Sequence, residues 1–332
     1  MYIISSYSVA IIFCIITMLC WGSWSNTQKL AGKTWRFELF YWDYVLGIVL
    51  LSLIFGFTLG SSGTGGRSFI ADLQQTETGN LLSAFAGGVI FNLANILVVA
   101  AIAVAGMSVA FPVGIGLALV LGVLINYFSE KKGDPVFLFL GVAFITIAII
   151  IDAIAYKKLS EKQQKVPSKG IFLALTGGVF MSLFYFLVQR SMSLDFTNPE
   201  IGKMTPYSAV FVFSIGILIS NLLFNTILMK KPIEGTPVGY KDYFKGKPAI
   251  HLVGILGGII WSIGMSFSII SAEQAGPAIS YGLGQGATLV AALWGVFIWK
   301  EFKGAPKKTN SLLVLMFLFF ISGLGLIIYA GM

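Results

Sequence analysis

Gly87-Gly88, Ile90-Phe91, Gly106, Gly114 and Gly116 recur at a constant offset of 170 as Gly257-Gly258, Ile260-Trp261, Gly276, Gly284 and Gly286. With 38 glycines among 332 residues, one or two matches would mean little; five in one ungapped register indicate an internal repeat. Both copies lie in apolar runs. A run of about 20 apolar residues, rising 1.5 Å each, is what crosses roughly 30 Å of hydrocarbon. Along the whole chain the same test gives ten spans, roughly 4–26, 37–59, 80–105, 107–128, 135–156, 170–190, 205–229, 248–273, 277–299 and 310–331. The runs are continuous rather than alternating, so they read as helices and not as barrel strands. The two glycine patterns fall in spans three and four and in spans eight and nine. They are five spans apart, and an odd number reverses direction across the membrane. The expected fold is therefore an all-α membrane protein of ten transmembrane helices in two inverted five-helix repeats, 1–158 and 170–332, with 159–169 as the linker.

Composition agrees. Charged residues make up 11% of the chain and apolar residues 57%, whereas a soluble domain uses about 25% charge to cover its surface. The formal net charge of +8 does not imply nucleic acid, because the basic residues sit in the breaks between apolar runs. Of the 22 Lys and Arg residues, 17 fall in the odd-numbered loops and 5 (Arg67, Lys131, Lys132, Arg190 and Lys203) in the even-numbered ones. The positive-inside rule then makes the odd loops, including 157–169, cytoplasmic and sets both termini outside, in a cell (inner or plasma) membrane. Residues 1–10 lack a basic n-region, so the first run is expected to be a retained span. Cys14 and Cys20 share that run and suggest neither a disulfide framework nor a metal site.

Inverted repeats are a recurrent plan of secondary transporters, with the substrate held near the midplane. Particular residues carry the resemblance further. Trp21-Gly22-Ser23-Trp24 ends span one, and Tyr41-Trp42-Asp43-Tyr44 lies early in span two. Gly87-Gly88-Val89, Asn95, Gly106-Met107-Ser108-Val109 and Asn126-Tyr127-Phe128 follow. These stretches resemble the ureide permease family of the drug/metabolite transporter superfamily, whose bacterial relatives are similar to the glucose/ribose porter and rhamnose–proton symporter groups. The motifs cover mainly residues 18–130, and the second half matches by architecture. The resemblance implies a central cavity and uptake coupled to a cation. Small multidrug exporters of that superfamily use a Glu in span one; none is present here, which argues against export of cationic drugs.

Ionisable groups inside a membrane are costly and point to function. Asp43 lies about six residues, or roughly 9 Å, into span two, where a carboxylate could take up a proton or Na⁺. The alternative is an interfacial Asp paired with Lys29, Lys33 or Arg36. Asp152 and Glu273, at span ends, read first as interfacial. Asn92 and Asn95 are three residues apart on one face of span three; buried amides need partners, which a substrate or a neighbouring helix can supply. Span nine sets Tyr281, Gln285 and Thr288 on one continuous polar face, with Gln285 near the midplane. Ser262 and Trp261 of span eight and Tyr185 and Gln189 of span six are further candidates. Trp24, like Trp261, could stack on a sugar or a planar ureide, although interfacial belts also recruit tryptophan. Pro112 and Pro277 should loosen spans four and nine.

The expected activity is import of a small neutral polar metabolite, a sugar first, by alternating access coupled to H⁺ or Na⁺. A ureide or nucleobase-type permease is the alternative within the class. An integral-membrane enzyme acting on lipids would want clustered His, Asp or Glu, and the single histidine, His251, has no ligand spacing beside it. The glycine-rich stretch 60–66 lacks the Lys-Ser/Thr of a phosphate-binding loop. No cofactor beyond the coupling ion is expected. The partners expected are the small-molecule substrate and the bilayer, with no nucleic acid; a monomer suffices, and a dimer is compatible.

Overall fold

The computed structural model describes residues 1–32, 35–159, 167–233 and 235–332. Within them, ten helices have the length and hydropathy of a span. They are Tyr7–Ala31, Phe37–Phe57, Thr78–Ala105, Pro112–Ser129, Pro135–Lys158, Ser168–Gln189, Pro206–Lys230, Pro248–Ala275, Pro277–Ile298 and Lys308–Tyr329. These ten, numbered 1 to 10 in that order, meet the ten expected. The described residues form no β-strand, only an isolated bridge between Met192 and Met204. Lipid offers the backbone no hydrogen bonds, so each span must satisfy its own N–H and C=O groups, and a helix does that. Ile12, Ile15 and Leu19, at i, i+3 and i+7 of span 1, are among the exposed apolar side chains and form a face suited to lipid.

Spans 3 and 8 are each 28 residues long and begin and end 170 residues apart. Each stops at a glycine of positive φ, Gly106 at 79° and Gly276 at 86°, where an L side chain would be strained. Span 3 packs on spans 6 and 7, span 8 on spans 1 and 2, and span 5 on span 10. Exchanging the halves exchanges these pairs, which fits the inverted repeat read from the sequence. The glycines make the tightest crossings. A Cβ on Gly47 would lie 3.0 Å from the Cα of Gly258, and one on Gly88 would lie 3.0 Å from the Cα of Gly216. All four are the eleventh residues of their helices, Phe37–Phe57, Pro248–Ala275, Thr78–Ala105 and Pro206–Lys230.

Spans 4 and 9 are irregular, as their prolines suggest. A π-helical turn over Phe111–Ile115 interrupts the fourth; the ninth breaks at Gly286 and ends in a second such turn, Trp294–Ile298. Two short helices lie in loops at opposite faces, Phe69–Gln75 between spans 2 and 3 and Tyr240–Phe244 between spans 7 and 8. Loops 2–3 and 6–7 meet on one face, where the Arg67 Nη2 donates to the carbonyls of Glu200 at 2.7 Å and Lys203 at 2.9 Å. Loops 1–2, 7–8 and 9–10 meet on the other, through Arg36 to the Thr236 carbonyl and Lys29 to Glu301. Lys33 and most of the expected linker, with Lys162 and Lys165, lie outside the described residues.

Candidate functional site

Between the halves lies a cavity of about 890 Å³. Its mouth, on the face of the odd-numbered loops, is lined by Lys29, Gly32, Trp35, Arg36, Glu38 and Ile233. Two ion pairs balance the charge there: Lys29 Nζ to Glu301 Oε1 at 2.9 Å, and Arg36 Nη2 to Glu38 Oε1 at 2.6 Å. Deeper, the wall is aromatic. Trp21 stacks on Trp261 with ring centroids 5.8 Å apart, and Phe91 meets Trp261 at 4.4 Å and Phe184 at 5.1 Å. The Trp21 indole N–H is spent on the Trp261 carbonyl, so this end offers mainly ring faces.

Four of the residues expected at the site line this cavity: Trp24, Asn95, Trp261 and Gln285. Trp24 is braced by Tyr44, with ring centroids 4.6 Å apart. The Gln285 side chain makes no hydrogen bond among the described residues, and Asn95 makes one, from Nδ2 to the Tyr41 hydroxyl at 3.1 Å. Two carboxamides from different halves therefore face one space with capacity to spare.

The other candidates are not among the lining residues. Asn92 is fully buried and bonded to Tyr41 and span 7. The Ser262 hydroxyl donates to the Ile48 carbonyl at 3.3 Å, holding span 8 to span 2. The Tyr185 hydroxyl meets Ser268, and Gln189 follows it by one turn of span 6. Tyr281 donates toward the Ala118 and Met181 carbonyls. The polar face of span 9 is thus not continuous. The turn at Gly286 ends the helix carrying Tyr281 and Gln285, and of the three only Gln285 and Thr288 reach the cavity.

Asp43 is fully buried, and its partners among the described residues are His251 and Tyr243. Its Oδ1 lies 2.6 Å from the Tyr243 hydroxyl, which donates, and 2.8 Å from His251 Nδ1. The Trp35 indole is alongside the carboxylate, and Trp35 meets His251 edge-on with centroids 5.1 Å apart. Since Trp35 also lines the cavity mouth, Asp43 sits one side chain behind the wall. Tyr243 belongs to the short helix of loop 7–8. Burial pushes its hydroxyl above the ordinary tyrosine range, and the Asp43 carboxylate that it bonds adds to the shift. His251 and Tyr243 were not legible as site residues, because they are 208 and 200 positions away from Asp43. Among the described residues no group of three or more His, Cys, Asp or Glu is arranged to hold a metal ion.

Ten spans around a central cavity with unspent hydrogen-bonding groups define a multi-pass membrane transporter. The family model for ureide permeases matches residues 40–169 and 158–330, and the chain belongs to that family. Ureide permease 1 of Arabidopsis thaliana is 26% identical, the match covering 97% of this chain and 96% of the plant protein. A Priestia megaterium protein named "Probable glucose uptake protein GlcU" is 28% identical over 68% of each chain. A solved crystal structure shares the fold, with a TM-score of 0.58 at 16% identity over 97% of this chain and 96% of its own. Family members are transporters and not enzymes, and the lipid-enzyme alternative falls away.

Proposed function

We propose that the protein imports a small, neutral, ring-shaped polar metabolite, a sugar first, by alternating access coupled to H⁺ or Na⁺. The observation that carries this reading is the cavity's polarity. Its ionic groups pair with one another at the mouth, and its inner wall offers ring faces and two under-used carboxamides. An anionic substrate would want an unbalanced cation deep in the wall. Trp24, Asn95, Trp261 and Gln285 are assigned to the substrate; Asn92, Tyr185, Gln189, Ser262 and Tyr281 support them from behind. Asp43, with His251 and Tyr243, is assigned to the coupling ion. The two halves, 1–158 and 170–332, rock about the cavity, with the odd loops cytoplasmic, both termini outside and the monomer as the working unit in the cell membrane.

A ureide or nucleobase-type substrate is the second reading, favoured by the full-length similarity to plant proteins named ureide permeases. Radiolabelled uptake into proteoliposomes separates the two, with glucose, allantoin and uracil presented with and without inward proton and sodium gradients. We expect one gradient to drive accumulation of one substrate class, and Asp43→Asn to abolish accumulation while leaving downhill exchange. Accumulation that survives the substitution removes Asp43 from coupling, and no uptake of any of the three overturns the substrate assignment.

A further inference from the structure

Asn92, Tyr41 and Asn95 form a chain of hydrogen bonds whose direction can be worked out from its buried end. An amide oxygen and nitrogen look alike, so their assignment must come from the network around them. The network here starts on backbone carbonyls, which can only accept. The Ser220 hydroxyl gives its one proton within its own helix, to the carbonyl of Gly216 at 2.8 Å, with that of Ile217 at 3.1 Å. Its oxygen therefore accepts from the next group, Asn92, at 2.9 Å. The Asn92 nitrogen also points at the Ile217 carbonyl, 3.4 Å away. Both neighbours demand a donor, so this end of Asn92 is the amino group and the other end is the oxygen.

From there each step follows. The Asn92 Oδ1 can only accept, and the Tyr41 hydroxyl, 2.9 Å away, must spend its single proton on it. The Tyr41 oxygen is then left with lone pairs alone. Asn95, 3.1 Å away, must meet it with Nδ2. That fixes the amide of Asn95, whose Oδ1 has no hydrogen bond among the described residues while the residue itself lines the cavity. Asn92 and Tyr41 are fully buried, so no water competes for these bonds.

We propose that Tyr41 is a positioning residue that holds the Asn95 carbonyl oxygen toward the substrate, making this wall select for a hydrogen-bond donor, an O–H or N–H, on the solute. The inference rests on Asn95 contacting the substrate. Without the Tyr41 hydroxyl, the Asn95 amide turns freely and presents its amino or its carbonyl end, and the selection is lost. Gln285 has no such clamp and reads either polarity.

The test is Tyr41→Phe in proteoliposomes, with probe pairs differing in one donor: glucose against 3-O-methylglucose, and uracil against its 1-methyl and 3-methyl derivatives. A donor facing a fixed acceptor in a dry wall is preferred by about tenfold. We expect that preference in the wild type and a fall to about twofold or less in Tyr41→Phe. KM for the preferred probe rises, with maximal rate and folded yield little changed. Equal loss of uptake for both members of a pair, with the ratio kept, would make Tyr41 merely structural and overturn the proposal. Asn95→Ala separates the two layers: if it leaves KM and the ratio unaltered, the substrate contact itself is wrong. If it removes the ratio and Tyr41→Phe does not, the contact stands and the relay is wrong. A readout without substrate is hydrogen exchange at the Asn95 side-chain amide, expected to quicken about tenfold in Tyr41→Phe while that of Asn80 stays constant. An unchanged Asn95 rate also overturns the relay.

Discussion

Asp72 and Asp242 are 170 residues apart and sit in the two short loop helices at opposite faces of the molecule. Asp72 is fully buried. Its Oδ1 accepts from Arg67 Nε at 2.9 Å, and its Oδ2 accepts from the Thr205 N–H at 2.7 Å and the Thr205 hydroxyl at 2.9 Å. The first half is thereby pinned to the start of span 7 in the second. Asp242 is half-exposed and turns inward on its own helix, accepting from the Gly239 N–H at 2.9 Å, with Lys245 at 3.6 Å. One face is clasped across the halves by its loop aspartate; on the other the halves meet around the cavity mouth through Arg36 and the Thr236 carbonyl, Lys29 and Glu301, and Asp43 and Tyr243. The same residue type at repeat-related positions is thus engaged across the halves on one side and within its own loop on the other. At the repeat-related aspartates of these two helices, the link across the halves is made on one face only.

Substitutions on the two faces should differ accordingly, and the clasp gives the largest effect. Asp72→Ala leaves the Arg67 Nε and both Thr205 donors without their acceptor; breaking a buried charged pair costs about 3–5 kcal/mol. With a cysteine at Ser208, beneath the clasp, in a chain lacking Cys14 and Cys20, we expect labelling by an impermeant maleimide from that face to quicken at least tenfold. Unaltered labelling of a folded protein would break the comparison. Next comes Glu301→Gln at the open mouth, where Lys29 and Glu301 have side-chain exposures of 48% and 29%. A pair this wet is worth about 0.2–1 kcal/mol. Its melting temperature should drop by at most about 3 °C, read by thermal unfolding in detergent. Asp242→Ala should be the mildest, within about 0.5 kcal/mol of wild type. A loss as large as that of Asp72→Ala would mean that Asp242 is needed to hold the helix whose Tyr243 meets Asp43.

The spans were legible because each carries its own evidence, a long apolar run that no neighbour needs to complete. The repeat was legible because helices that touch backbone to backbone tolerate only glycine there, as at Gly88 and Gly258. The site was less open to reading. Helical periodicity put Asn92 and Asn95 on one face, and the structure adds what periodicity lacks, the Tyr41 hydroxyl between them. Periodicity also joined Tyr281 to Gln285 and Thr288, and the turn at Gly286 sets Thr288 on a separate helix from the other two. Asp43 stood out as a buried acid, but its partners come from loop 7–8 and span 8. Contacts of that range belong to the tertiary fold and leave no local pattern.

The four crossing glycines have a mechanical consequence. Spans 2 and 8 enter from one face, spans 3 and 7 from the other, and each pair touches at its eleventh residues. Ten steps of 1.5 Å put these contacts about 15 Å in, close to half the hydrocarbon thickness. Under the rocking proposed above, bare backbone against bare backbone leaves no side chain to repack as the angle changes, and each crossing would work as a fulcrum. A beam pivoted near its centre cannot raise both ends together: whatever widens one mouth narrows the other by a comparable distance.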